Sequence, residues 1–216
     1  MAVGPVQMRV LIADDDPVSL RLLGAALGKM HHEVLIARDG LEAWELFQQV
    51  DIPLVVTDWL MPGMSGVELC QNIRAEAREK YSYIVVVTTL SDNENILEGF
   101  RAGADDYLVK PFRVDELQRR IGVAERIRTA MSAKVEATLR SAVEMLQKDE
   151  DPPSPSLVQS VKNLGEFYRS EGAYAKARAF LRRQIALVRE ARGGEGDLAK
   201  LQRELKSLEG LQDERV

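Results

Sequence analysis

The sequence predicts an α/β protein whose first part is a doubly wound, five-stranded parallel sheet. Short apolar runs recur along it and are bounded by polar residues, as in strands buried on both faces of a parallel sheet. Segments with helical patterns separate these runs, and such alternation implies right-handed crossover connections. Chemically active polar residues stand directly after four of the runs, where ligands of such sheets bind.

The elements alternate from Arg9 to about Ile127. Strands are predicted over 9–13, 33–36, 54–57, 83–87 and 106–109. Helices are predicted over 17–30, 40–49, 65–78, 92–102 and 113–127. Asp16 stands before Pro17 at the start of the first helix, a pattern typical of an N-cap followed by proline at the first helical position. We therefore give Asp16 a structural role.

The last of these helices is predicted to continue as a linker helix. From Asp115 to Lys148 the chain contains no proline, and apolar residues recur at steps of three and four. The stripe consists of Leu117, Ile121, Ala124, Ile127, Met131, Val135, Leu139, Ala142 and Leu146. The segment from Asp149 to Pro155 should end the helix, because paired prolines cannot continue it.

Four strand ends predict a phosphoryl-transfer site. Asp14 and Asp15 follow the first strand, Asp58 the third, Thr88 the fourth and Lys110 the fifth. Carboxylates that meet at one sheet edge repel each other unless a hard cation lies among them, and Mg²⁺ is the usual one. A lysine and a hydroxyl beside a metal-bound carboxylate suit a tetrahedral anion. The site therefore predicts phosphorylation of an aspartate.

These residues make the segment 8–127 similar to the receiver domain of response regulators, of the chemotaxis type. Five motifs match in order and with the expected spacing. They are the acidic pair Asp14–Asp15, the acceptor motif from Asp58 to Gly66, the hydroxyl of Thr88, the aromatic Tyr107 and the pair Lys110–Pro111. The resemblance implies a flavodoxin-like sheet with the strand order 2-1-3-4-5.

The resemblance also implies the phosphoryl acceptor and the cofactor. Asp58 would be the nucleophile that takes a phosphoryl group from a histidine kinase or a phosphotransfer protein. The cofactor would be Mg²⁺, with Asp14 binding it directly or through water. The full expected set of ligands is Asp14, Asp15, Asp58 and the backbone carbonyl of Leu60.

The remaining matched residues have implied roles in phosphoryl binding, switching and structure. Lys110 and Thr88 would bind the phosphoryl group, and Thr88 with Tyr107 would carry the switch. Pro111 and Gly66 would be structural. The Lys110–Pro111 peptide bond is expected to be cis, which would aim Lys110 at the site.

Composition argues against nucleic-acid and membrane partners. The chain has 216 residues with a net charge of −5, and neither its first 130 residues (net −6) nor the rest (net +1) is basic. No apolar stretch approaches the roughly 20 residues of a membrane span, and the first residues do not resemble a signal peptide. The single cysteine, Cys70, excludes an intrachain disulfide. We expect a cytoplasmic protein.

Two features are expected to be structural. Cys70 lies in a predicted helix and should be a small buried residue. His31 and His32 should form a solvated turn, because adjacent residues at a helix end point in different directions and cannot easily bind one metal ion.

Residues 157–211 predict three helices with turns at 170–172 and 192–196. The first two helices resemble one tetratricopeptide repeat, although Gln184 and Arg189 depart from its pattern. The matching residues are Leu164, Gly165, Tyr168, Gly172, Tyr174, Ala177, Leu181 and Ile185. A single repeat lacks the neighbours that about three repeats provide. We expect the helix at 197–212 to act as a cap and the stripe at 131–146 as a neighbour.

The predicted domains are a phospho-receiver (8–127), a linker helix with a proline-rich break (128–155) and a tetratricopeptide-like module (156–212). Phosphorylation of Asp58 is expected to switch a protein–protein interaction made by the C-terminal helices, with a homodimer as one form of it. No catalytic activity is expected beyond the protein's own phosphorylation and dephosphorylation.

Two alternative functions stay open at this point. One is a transcriptional regulator with an unrecognised DNA-binding C-terminus, for which the best support is Arg178, Arg182, Arg183 and Arg189. The other is a receiver that controls a separate diguanylate cyclase or phosphatase in trans.

Overall fold

The structure of the chain, a computed structural model, describes residues 7–76, 80–89, 93–147, 153–191 and 195–212, with backbone only for 93–95 and 195–196. The chain divides into two compact units, Met1–Thr129 and Ala130–Val216.

Five strands form one parallel sheet in the first unit. They are Arg9–Ala13 (β1), Glu33–Ala37 (β2), Leu54–Asp58 (β3), Tyr83–Thr88 (β4) and Asp106–Val109 (β5). Their order is β2-β1-β3-β4-β5, which confirms the predicted fold class. The register pairs Ala13 with Thr57, Asp58 with Val87 and Thr88 with Val109. The carboxyl ends of β1, β3, β4 and β5 therefore meet at one edge.

Five helices follow the strands and cover both faces of the sheet. They are Pro17–Lys29 (α1), Gly40–Gln49 (α2), Gly66–Ala75 (α3), Asn93–Arg101 (α4) and Val114–Leu146 (α5). Neighbouring residues of one strand enter two separate cores, since Leu11 packs with α2 and α3 residues while Val10 and Ile12 pack with residues of α1 and α5. This double burial explains the nearly continuous apolar runs.

Local sequence rules explain where helices begin and end. Asp16 accepts hydrogen bonds from the amides of Val18 and Ser19, which confirms it as the N-cap of α1. Helix α3 ends at Ala75 with Glu76 as its C-cap, before the predicted position 78, and residues 77–79 lie outside the described part of the chain. Helix α5 is continuous to Leu146, as predicted. Its predicted last residue, Lys148, and positions 149–152 of the break lie outside the described residues.

Three further helices form the second unit with the last part of α5. They are Pro155–Ser170 (α6), Tyr174–Glu190 (α7) and Glu195–Glu209 (α8). Val143 of α5 and Leu208 of α8 are buried in the same cluster as residues of α6 and α7. Leu139 and Leu146, at the end of the α5 stripe, pack against this cluster, so the end of the stripe and the last helix adjoin the α6–α7 pair, as expected. That this pair is a tetratricopeptide repeat stays a prediction.

The expectation for His32 was wrong, whereas that for Cys70 is confirmed. His31 is exposed and has a left-handed backbone (φ 63°), but the His32 side chain is buried. Its Nδ1 accepts a hydrogen bond from the amide of Met8 (3.4 Å), which lies just before β1 and is itself buried. Cys70 is fully buried, and this burial raises the pKa of its thiol to about 12.

Among the described helices, none is both long enough and apolar enough to cross a membrane.

Candidate functional site

The predicted site residues lie at the carboxyl edge of the sheet. Asp58 is the last residue of β3 and Thr88 the last of β4, while Lys110 directly follows β5. Two backbone hydrogen bonds join these ends just beyond the ladders, from the Trp59 amide to the Val87 carbonyl (3.2 Å) and from the Lys110 amide to the Thr88 carbonyl (2.7 Å). The hydrogen bonds of the sheet therefore fix the backbone positions that carry the reactive side chains.

Three carboxylates converge at this edge. One oxygen each of Asp14, Asp15 and Asp58 lies within 4.8 Å of the others. Asp14 is buried, the side chain of Asp58 is 14% exposed, and Asp15 is open to solvent. Oδ1 of Asp14 accepts a hydrogen bond from the Asp16 amide (2.9 Å), which orients the carboxylate. The cluster is thus built inside the protein but can be reached from outside.

Lys110 is the cation of the cluster. Its Nζ lies 2.7 Å from Oδ2 of Asp14 and 3.2 Å from Oδ1 of Asp58. Three carboxylates and one ammonium leave a formal charge of −2 (−3 plus +1). This negative charge lies partly out of water, where it is costly unless a further cation binds.

Burial and neighbouring charges shift the pKa values of the site. Burial raises the pKa of Asp58, and the charge of Asp14 adds to this rise, while Lys110 opposes it. Burial alone would lower the pKa of Lys110, but its hydrogen bond to Asp14 and the charge of Asp58 raise it overall. Lys110 therefore keeps its positive charge, and a bound cation would oppose the rise in the pKa of Asp58.

The residues present fit a magnesium ion. Carboxylate oxygens are hard ligands of the kind that Mg²⁺ prefers, and the excess charge of −2 equals the charge that the ion would neutralise. Asp14, Asp15 and Asp58 would hold it. Leu60, whose carbonyl is the fourth expected ligand, lies two residues after Asp58 in the β3–α3 loop, and its side chain is 59% exposed.

Gly66 fixes the loop that leaves Asp58. A Cβ atom at Gly66 would lie 2.0 Å from the carbonyl oxygen of Asp58, so no larger residue fits. Its amide donates to the Trp59 carbonyl (2.9 Å), and Ser65 and Glu68 form a capping box that starts α3. A hydrogen bond therefore joins the two ends of the loop between Asp58 and Gly66.

Thr88 and Tyr107 lie on the neighbouring strands β4 and β5, two residues apart in register. Thr88 is buried at the end of β4, and Tyr107 pairs with Val86, two residues earlier. The Tyr107 ring is buried and packs edge-on against Trp59, with ring centroids 6.3 Å apart. The Lys110–Pro111 peptide bond is cis, as the resemblance implies.

Sequence reasoning missed Trp59. It follows the proposed acceptor directly, and its side chain is only 6% exposed although it lies in a loop. Gly99, which lies against Trp59 in the structure, could have pointed to it. A glycine within a helical pattern often marks the close approach of another group.

Comparisons with known proteins match the first unit. A model of the response regulator receiver domain matches residues 10–122, slightly more than half of the chain. The chain is 34% identical over 116 residues to a chemotaxis protein CheY homolog of Campylobacter jejuni. That match covers 53% of this chain and 89% of the relative. It is 36% identical over 121 residues to the response regulator RppA of Synechocystis, which covers 55% of this chain and 51% of the relative.

Solved structures match the same part of the chain. The chemotaxis response regulator CheY4 of Vibrio cholerae has a TM-score of 0.52 and 30% identity, and the match covers 55% of this chain and 98% of that one. The receiver domain of the sensor histidine kinase PA1611 from Pseudomonas aeruginosa, solved with a magnesium ion in its active-site cleft, has a TM-score of 0.50 and 26% identity. That match covers 56% of this chain and 96% of the other.

Proposed function

The chain belongs to the response regulator receiver domain family, and from this premise we propose that it is a two-component signalling protein that is phosphorylated on Asp58. The observation that carries the proposal is the convergence of Asp14, Asp15 and Asp58, with the ammonium of Lys110 within 3.2 Å of Asp58. The donor would be a phosphohistidine of a histidine kinase or a phosphotransfer protein.

The proposed reaction is the transfer of one phosphoryl group between two proteins. The ionised carboxylate of Asp58 attacks phosphorus, the bond from phosphorus to the donor imidazole breaks, and a mixed anhydride forms on Asp58. Lys110, 3.2 Å from Oδ1 of Asp58, would pair with a phosphoryl oxygen once the carboxylate is phosphorylated. Bound Mg²⁺ supplies charge neutralisation as one anion approaches another. We propose no further catalytic activity for the chain.

Thr88 and Tyr107 are the proposed switch. A phosphoryl group adds charge and acceptor oxygens at the sheet edge, which can draw the Thr88 hydroxyl towards them. The change would alter the face formed by α4, β5 and the start of α5. Several large apolar side chains are exposed on these elements, which supports a contact with another protein. They are Leu97, Phe100, Val109 and Val114.

The C-terminal helices are the proposed output through protein–protein contacts. Arg178, one of the arginines that favoured DNA binding, donates to the carbonyls of Leu208 and Leu211 (3.0 Å each) at the end of α8. Arg182 lies 3.6 Å from Glu209 of α8. The hydrogen bonds of Arg178 engage it inside the second unit, which weakens the support for the DNA-binding alternative.

We also propose that α6 and α7 form a tetratricopeptide-like pair. Gly165 of α6 faces α7 directly, since a Cβ atom there would be in van der Waals contact with Cβ of Phe180 at 3.5 Å. Tyr168 and Ala177, two of the matching residues, are buried in the core that the two helices share.

Homodimerisation through α5 is the form of output that we propose to test first. Met131, Val135 and Met145 are exposed on this helix, with relative exposures of 46%, 46% and 72%. Met131 and Val135 are four residues apart on the apolar stripe of α5, the spacing by which helices pair, and Met145 is exposed further along the same helix.

Light scattering tests this proposal. We expect the solution mass to about double when Mg²⁺ and beryllofluoride, a mimic of the aspartyl phosphate, are added together. The Asp58→Ala variant should keep the mass of the untreated protein. A mass that does not respond to beryllofluoride in the wild type would contradict phosphorylation-controlled dimerisation.

A further inference from the structure

Gly99 is an unexpected residue inside α4. Glycine weakens a helix interior because it gives up the most backbone freedom, so its presence there needs a packing reason. The structure supplies one. A Cβ atom at Gly99 would lie 3.0 Å from Cζ3 of Trp59 and 3.8 Å from Cδ2 of Tyr107. The missing side chain leaves a notch in α4 that the indole ring occupies.

The ring in this notch is tied to the proposed acceptor. Trp59 follows Asp58 directly, and its amide donates to the Val87 carbonyl while its carbonyl accepts from the Gly66 amide (2.9 Å). Its backbone is therefore held on both sides. Its side chain is 6% exposed and lies edge-on to Tyr107 at an interplanar angle of 71°. We expect a displacement of the peptide after Asp58 to move the indole as well.

We propose that Gly99 is a positioning residue that seats Trp59 and so couples Asp58 directly to α4. This coupling acts beside the Thr88–Tyr107 switch and rests on the proposed function. Close-packed groups have few alternative arrangements, so a shift at one side of the contact moves the other. When the acceptor loop adjusts to a phosphoryl group, Trp59 transmits that adjustment to α4 through the notch.

The test compares two glycine variants in a chain with one tryptophan. The protein has two tryptophans, so Trp44→Phe leaves Trp59 as the reporter. Gly99→Ala places a methyl group in the notch. The control is Gly122→Ala in α5, where a Cβ atom meets only the flexible end of Arg126, at 3.6 Å. The full chain is studied with Mg²⁺, with and without beryllofluoride.

Three quantities separate coupling from a merely structural role. We expect acrylamide quenching of Trp59 to rise about twofold in Gly99→Ala, because the ring is pushed out of the notch. We expect the beryllofluoride-induced change in hydrogen exchange of the α4 amides to fall by about half or more. The affinity for beryllofluoride should stay within about threefold of the wild type, because the variant touches no group of the acidic cluster. Gly122→Ala should match the wild type in all three.

A second variant keeps the inference open to refutation. Trp59→Phe removes the outer ring of the indole, so the α4 response should already be reduced, and adding Gly99→Ala should change it little further. If both single variants bind beryllofluoride and keep the wild-type response of α4, the inference is overturned while the proposed function stands. If the wild type itself does not bind beryllofluoride through Asp58, the proposed function fails and the inference fails with it.

Discussion

The ammonium nitrogen of Lys110 lies 2.7 Å from Oδ2 of Asp14, closer than the 3.2 Å that separates it from Oδ1 of Asp58. Lys110 therefore offsets the charge of the more deeply buried carboxylate as well as that of the proposed acceptor. Its positive charge neutralises part of the negative charge that a bound metal ion would also neutralise. This arrangement links the stability of the domain to the contents of its site.

The variant Lys110→Met should destabilise the metal-free protein. It leaves two partly buried carboxylates without their cation, which we expect to lower the free energy of unfolding by about 2 kcal/mol. Added Mg²⁺ should restore more stability to this variant than to the wild type, because the ion then replaces the missing charge. Urea denaturation in EDTA and in Mg²⁺ measures both effects.

Lys80→Met is the matched control for that experiment. Lys80 pairs with Asp51 at 2.9 Å, but both side chains are about half exposed. Its loss should cost less than about 1 kcal/mol and should not depend on Mg²⁺. Equal losses in the two lysine variants would contradict the role given to Lys110.

Asp15→Asn should weaken Mg²⁺ binding selectively. The variant removes one of the three carboxylates that converge within 4.8 Å, and we expect a loss of affinity of about tenfold or more. Asp16→Asn is the control, because Asp16 caps α1 and asparagine caps equally well. Titration calorimetry should show nearly unchanged binding for that control. A similar loss in both variants would mean that general charge, rather than a built site, attracts the ion.

Gly66→Ala should destabilise the receiver by about 2–3 kcal/mol, because the new methyl group cannot coexist with the Asp58 carbonyl unless the loop shifts. Gly28→Ala in α1 has open space around its Cβ and should be neutral or stabilising by up to about 1 kcal/mol. Chemical denaturation compares the two. A Gly66→Ala variant as stable as Gly28→Ala would show that the loop is not held in the described conformation.

Buried His32 should make stability depend on pH. Burial, helped by the charge of His31, lowers the pKa of His32 below its ordinary value of 6.5. The unfolded chain then takes up a proton near pH 6.5 while the folded chain does not, so stability falls as the pH drops below 6.5. Glu125, whose Oε1 lies 3.7 Å from Nε2 of His32, acts in the opposite direction at lower pH, because burial raises its pKa above 4.5.

The two histidines provide a matched pair for this measurement. His32→Asn should reduce the loss of stability between about pH 7 and pH 5, since asparagine cannot take up a proton in that range. His31→Asn should keep most of the wild-type slope, because burial, and not the charge of His31, is the main cause of the lowered pKa of His32. Asparagine also tolerates the left-handed backbone at position 31. Equal slopes in all three proteins would mean that His32 is not the titrating group.

The sheet and the residues at its carboxyl edge could be predicted because short patterns in the sequence indicate them. Apolar runs mark strands that are buried on both faces, and the polar residue after each run fixes which side chains meet at the carboxyl edge. Asp16 followed a local capping rule and was assigned correctly. These features depend on residues that are close together along the chain.

The missed features depend on contacts between distant residues. His32 is buried where its Nδ1 accepts a hydrogen bond from the Met8 amide, and no local pattern reveals this pairing. Trp59 and Gly99 meet only in the folded sheet, which pairs β3 with β4, the strand before α4. In the second unit the Tyr168 hydroxyl donates to Glu136 (2.6 Å) and accepts from Arg140 (2.7 Å), a network between α5 and α6 that periodicity alone cannot foresee.

Phosphotransfer to Asp58 is the most direct test of the account. The purified chain is incubated with a small phosphodonor in Mg²⁺ or in EDTA, and intact mass is measured for the wild type, Asp58→Asn and Asp16→Asn. We predict the addition of one phosphoryl group to the wild type and to Asp16→Asn in Mg²⁺, with none in EDTA and none on Asp58→Asn. A wild type that stays unmodified in Mg²⁺, or an Asp58→Asn variant that still gains the group, would contradict the central claim.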